Sequence, residues 1–129
     1  METSMPTQIA NPEREISRGT VGIYKEYFGR GPTKASATIG DTHVTVILED
    51  ALTVVERRLA SEGNDETVRS LRQKIQQAMR DELVELVERT VGRKVKCLLS
   101  DHDVPTDIAV EVLVFEREDE SGSEANGER

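Results

Sequence analysis

Gly29-Arg30-Gly31-Pro32-Thr33-Lys34 is where one kind of structure stops and another begins. Upstream, Ile16, Ile23, Tyr24 and Tyr27 fall on one helical stripe with Thr20 between them. Downstream, Ala35, Ala37 and Ile39 alternate with Lys34, Ser36 and Thr38. Apolar residues three or four apart build an amphipathic helix, whereas strict alternation builds a half-buried strand. Two glycines and a proline between the patterns end the helix and reverse the chain. A phosphate loop needs the opposite order, with a strand before it and a helix N-terminus after it to meet the anion. The corner therefore reads first as a helix stop and a reversal. Arg30, Lys34 and Tyr27 leave a second reading open there, a contact for an anion or a protein partner.

Working outward, residues 1–10 read as a flexible lead-in. Asn11-Pro12-Glu13 is a helix start, with a capping side chain, a preset φ and an acid near the positive end of the dipole. Gly19 and Gly22 weaken that helix, which points to a close neighbour along it. Past the corner, Val44, Val46 and Leu48 alternate with His43, Thr45 and Ile47, and Gly40-Asp41 suits a two-residue hairpin. In that register Ala37 opposes Val44 and Ala35 opposes Val46. Thr53 and Glu56 have the spacing of a capping box, which starts a short helix ending at Gly63. Asn64 or Asp65 starts a long helix whose Val68, Leu71, Ile75, Met79, Leu83, Leu86 and Val87 keep helical period to Gly92. Its span of roughly 39 Å exceeds the width of a four-stranded sheet, so part of it is expected to overhang or to meet a second subunit.

Two further strands are expected at about Arg93–Ser100 and Thr106–Glu116. Val95, Cys97 and Leu99 share one face, as do Ile108, Val110, Val112 and Val114. The opposite faces, with Ile47, Leu98, Leu113 and Phe115, are apolar as well. A sheet with one solvated face is more cleanly polar there. Either helices cover both faces, or the second face meets a partner. The fold class is α+β: helix, hairpin, helix, long helix, hairpin, with a four-stranded, mostly antiparallel sheet packed with helices. Residues 11–116 form the single domain, and residues 117–129 are expected to be a disordered acidic tail.

The chain has 129 residues, enough for one core. A net charge of −8 argues against nucleic acid as a partner, because phosphate backbones are held by Lys and Arg. With no Trp and only four aromatics, the core must be built from Val, Ile, Leu and Ala. A single cysteine, Cys97, fits a reducing compartment. No uncharged apolar run approaches the ~20 residues that span a bilayer, so direct membrane insertion is not expected and any membrane role runs through a partner. The reading is cytoplasmic, peripheral to a membrane only through that partner.

Chemistry-bearing residues are few. Asp101-His102-Asp103 with Asp107 has the look of a metal site, but Asp is common in turns, where its side chain caps the backbone. Metal and cofactors are therefore both expected to be absent. Cys97 alternates with Val95 and Leu99 and reads as a core residue without a paired base. His43 lies on the polar side of its strand. The charges of the long helix read as a solvated face with i,i+4 pairs. No catalytic set emerges, and the expectation is that the protein is not an enzyme.

Several segments together resemble the MpsC-like family. They are Tyr24-Lys25-Glu26-Tyr27-Phe28-Gly29-Arg30-Gly31-Pro32-Thr33-Lys34-Ala35, Leu48-Glu49 leading to Leu52-Thr53 and Glu56, and Gln77-Ala78-Met79-Arg80. Gly92-Arg93-Lys94-Val95, Leu99-Ser100-Asp101 and Asp107-Ile108-Ala109-Val110-Glu111-Val112 continue the likeness. The resemblance implies a cytoplasmic accessory or interaction protein of a Na⁺-translocating, membrane-potential-generating or inorganic-carbon uptake system. Its implied partners are membrane-complex subunits of antiporter or NADH-dehydrogenase type, with a homodimer as a further option. No catalytic residue carries over from the family. Two alternatives stand beside it: a KH-like nucleic-acid-binding module, against which the acidic Ser61–Glu66 connection argues, and an enzyme or a small-ligand or metal-binding sensor using His102, Asp101 and Asp103.

Overall fold

A computed structural model describes residues 11–117; the expected lead-in and the tail beyond Arg117 lie outside them. Asn11 accepts a hydrogen bond from Arg14 N–H and opens α1 (Pro12–Phe28), which Gly29 closes in the left-handed conformation at φ 85°. Two strands follow, β1 (Lys34–Ile39) and β2 (His43–Glu49), then two helices, α2 (Val54–Ser61) and α3 (Asp65–Val91). The chain ends in β3 (Val95–Asp103) and β4 (Ile108–Phe115). Thr53 and Glu56 form the expected capping box at the start of α2. The strands make one antiparallel sheet in the order β1-β2-β4-β3, so the hairpins lie side by side and β1 and β3 are its edges.

The first hairpin differs in detail from the sequence expectation. Three residues, 40–42, connect the strands, and Ala37 faces Val46 while Ala35 faces Leu48. The register has moved by two residues, and an even shift keeps every side chain on its face. Gly40 keeps an ordinary φ, since its N–H bonds back to His43 O at 2.9 Å.

Helices α1 and α3 run antiparallel over one face of the sheet, α1 above β1 and α3 above β3. Ile16, Tyr24, Val44, Val46, Leu48, Met79, Leu83, Val87, Ala109, Leu113 and Phe115 fill the space between them. A Cβ on Gly19 would sit 2.7 Å from the Leu86 methyls, so this glycine does admit a close neighbour. Gly22 has open space and serves no such purpose.

The sheet is turned over relative to the expectation for β3 and β4. Leu113 and Phe115 face the helices together with Leu98, whereas Val110, Val112, Val114, Cys97 and Leu99 face away. Cys97 is thus a half-buried residue of the outer face and not part of the core. Alternation fixes which residues share a face but leaves open which face meets the helices. Glu111 decides it here, because the helices supply its hydrogen-bond partners.

Candidate functional site

Two linked clusters of polar side chains lie inside the fold. The first is centred on Arg72, which is 0% exposed although it comes from a helix rich in surface charge. Its Nε and Nη2 donate to the Glu56 carboxylate at 3.0 and 2.7 Å, and Nη2 also donates to Ala51 O at 2.7 Å. The guanidinium stacks over Phe28 at 3.8 Å from the ring centre. Burial raises the pKa of Glu56, but hydrogen bonds from Arg72 and Thr53 outweigh it and hold the carboxyl below its usual range. A buried charge persists when it is paired and hydrogen-bonded in this way.

Asp107 completes this cluster from the β3–β4 turn. Its carboxylate accepts from Ala51 N–H at 3.1 Å, from Leu52 N–H at 3.2 Å and from His102 Nε2 at 2.9 Å. Burial, followed by the positive charge of Arg72, pushes His102 below the usual imidazole pKa, so the ring is neutral with its proton on Nε2. Asp50 and Asp107 both have left-handed backbones, at φ 61° and 56°. Asp50 N–H donates to Asp107 O at 3.1 Å, which ties the two reversals together.

The second cluster is built on Glu111, which is 0% exposed. Tyr24 Oη and Ser100 Oγ donate to its two carboxyl oxygens, and Gln76 Nε2 lies 3.3 Å from Tyr24 Oη. Burial pushes Glu111 up to about 7, only partly offset by the donors around it. Burial and the neighbouring Glu111 also push Tyr24 far above the usual phenol range. Among the described residues, three buried polar atoms have no partner: Arg72 Nη1, Gln76 Oε1 and His102 Nδ1.

The corner residues singled out from sequence are drawn into the fold in different directions. Arg30 Nη1 donates to Asp50 O and Leu52 O, both at 2.8 Å, clamping the corner to the β2–α2 turn. Tyr27 Oη donates to Glu82 Oε2 of α3 at 2.7 Å. Lys34 is exposed at the start of β1. The Asp-His-Asp run sits inside β3 instead of in a loop, so alternation separates its members. His102 turns in to Asp107, Asp101 turns out to Arg69 at 3.1 Å, and Asp103 caps Thr106 N–H at 3.2 Å. Among the described residues no group of three or more His, Cys, Asp or Glu side chains is placed to hold a metal ion.

Sequence reasoning missed Arg72, Gln76 and Glu111. The first two sit one position past Leu71 and Ile75 on α3, and the buried stripe runs through Val68, Arg72, Gln76 and Met79 while Leu71 is 45% exposed. An available signal was the second role of Glu56, which caps α2 and also pairs with a cation.

These features define a small α+β protein with a polar network set into an apolar core and, among the described residues, helices on one side of its sheet only. The chain belongs to the MpsC family: residues 9–117 match the family model described as Na⁺-translocating membrane potential-generating system (MpsC). Comparison with curated proteins and with solved structures returned no match. No described helix is long and apolar enough to cross a membrane.

Proposed function

We propose that this protein is a non-enzymatic accessory component of a Na⁺-translocating, membrane-potential-generating system, docked from the cytoplasmic side on another protein of that system. The observation that carries the reading is the one-sided sheet. Helices α1 and α3 cover one face, while Ile47, Val110, Val112, Val114 and Leu99 stand on the other, Leu99 being 59% exposed. Contiguous uncovered apolar surface of this kind marks an interaction site. The family description supplies the system, and without a described spanning helix the contact runs through a protein surface. The non-enzymatic part of the reading is supported by Glu111, Tyr24 and Glu56, whose hydrogen bonds are spent inside the fold.

The test is the double substitution Leu99→Lys, Val112→Lys, which charges the middle of the open face without touching the core. Native membranes are crosslinked and the protein is recovered with its partners. The expected result is a membrane-protein crosslink with the wild type that disappears in the variant, at unchanged circular dichroism. Equal crosslinking by both would overturn the reading. So would a wild-type mass in solution of twice the chain that the variant halves, since the face would then belong to a second copy.

A further inference from the structure

Strand β3 is an edge of the sheet, and its open side is guarded unevenly. At its start, Val95 N–H donates to Glu88 Oε2 at 2.8 Å. Near its end, His102 N–H donates to Asp101 Oδ1 at 2.8 Å. Capping an edge with charged side chains is the usual protection against unwanted strand pairing. Successive residues of an antiparallel strand direct their backbone groups to alternate sides. With His102 N–H on the open side, the N–H and C=O of Ser100 and Leu98 face the same way. Among the described residues, the middle of the edge is thus left as a short window between two guarded ends.

A groove of about 420 Å³ lies at that window. One wall is Leu98, Leu99 and Ser100, and the other is Gln73, Gln76, Gln77 and Arg80 of α3. These four recur at i, i+3, i+4 and i+7, so they form one stripe roughly 10 Å long beside the strand. Gln76 is 2% exposed, and its Oε1 has no partner. Its amide cannot simply be reversed, because Nε2 serves Tyr24 Oη and faces the Glu111 carboxylate at 3.5 Å. A buried acceptor is thus left without a donor on a residue that lines the groove. Arg80 is exposed, and its ion pair is with the neighbouring Asp81 at 3.8 Å.

We propose that this groove binds an extended, acidic peptide segment of a partner protein, whose main chain pairs with Leu98–Ser100 and with the glutamine amides while a carboxylate meets Arg80. Strand addition at an open edge takes affinity from main-chain hydrogen bonds and selectivity from side-chain contacts. At about 3.3 Å per residue the window accommodates three residues, so a short segment suffices. The site adjoins the open sheet face at Leu99 but draws its hydrogen bonds from the edge of β3 and from α3.

The test uses synthetic octapeptides of alternating Thr and Val with one central Glu, and the same peptides with Lys in its place. Titration into ¹⁵N-labelled protein is expected to shift the Leu98 and Ser100 amides and the Gln73, Gln76 and Gln77 side-chain amides, with the Glu peptide binding more tightly. Arg80→Glu, at an exposed position, should leave the fold intact and reverse the Glu-over-Lys preference, each change being about fivefold as for an exposed ion pair. Because recognition is through the main chain, absence of shifts at Leu98 and Ser100 with every peptide would overturn the proposal. Shifts confined to Val110, Val112 and Val114 would do the same, as would a Glu preference that survives in Arg80→Glu.

Discussion

Arg72 and Glu56 show at the scale of single residues how a charged pair is carried inside so small a fold. Removing one partner strands the other charge without water, which costs about 3–5 kcal/mol. Arg72→Met is therefore expected to lower the midpoint of urea unfolding by most of the protein's stability, whereas Arg69→Met, at a half-exposed pair with Asp101, changes it by less than about 1 kcal/mol. Glu111 sets the response to pH. Its folded pKa of about 7 lies above the ordinary carboxyl value of 4.5, so between these the folded state holds the extra proton. Its contribution is complete below pH ~4.5 and is lost as pH rises through 7, a change of about 3 kcal/mol. His102 acts in the opposite sense: its folded pKa is depressed, so stability is lost as pH falls below the unfolded imidazole value near 6.5. Stability is expected to peak in mildly acidic solution. In Glu111→Gln, urea titrations from pH 4.5 to 8 should lose the decline that Glu111 imposes up to about pH 7; an unchanged slope there would contradict this account.

The elements meet at a few close contacts, and substitutions there separate helix propensity from packing. Gly22 is exposed with open space around it, so Gly22→Ala should stabilise α1 by about 0.5–1 kcal/mol. Gly19→Val would drive branched atoms into Leu86 and is expected to destabilise by about 1–3 kcal/mol, through the α1–α3 contact. Thermal unfolding of the two variants should thus move in opposite directions. At the corner, Arg30 holds two backbone carbonyls of the β2–α2 turn. Arg30→Ala leaves them without a donor and should cost about 1–3 kcal/mol. Lys34→Ala, at an exposed side chain, should change stability by less than about 0.5 kcal/mol. A contact role for the corner therefore has to be tested at Lys34 and Tyr27, where the fold is not at stake.

For the whole molecule, two proposed surfaces differ in physics and can be told apart by salt. The open face carries Val, Ile, Leu and Cys at its centre, so association through it should change little between 50 and 500 mM NaCl. Binding at the groove beside Arg80 should weaken over the same range, because exposed charges are screened within about 10 Å at 0.1 M. The net charge of −8 works against acidic ligands at low salt, so the loss at the groove should be gradual. Salt titrations of the membrane crosslink and of the peptide complex test this directly.

The sequence by itself determined the elements and most of their ends. Asn11-Pro12 and Gly29 bound α1, Thr53 and Glu56 start α2, and Gly92 closes α3, because caps and breakers act within a few residues. It also fixed which strand residues share a face, since alternation is a local property. Sequence could not say which face of β3 and β4 turns toward the helices. Val110, Val112 and Val114 look like the core, yet they face away, and Glu111 is buried with Ala109, Leu113 and Phe115. Only the tertiary structure decided this, by bringing Tyr24 and Gln76 from two helices within hydrogen-bond reach of one carboxylate. Arg72 was hidden for the same reason: its partners, Glu56, Ala51 O and Phe28, are distant in the chain. Burial of a polar side chain depends on partners that local pattern does not contain, and here that burial is what turns Val110, Val112 and Val114 away from the helices.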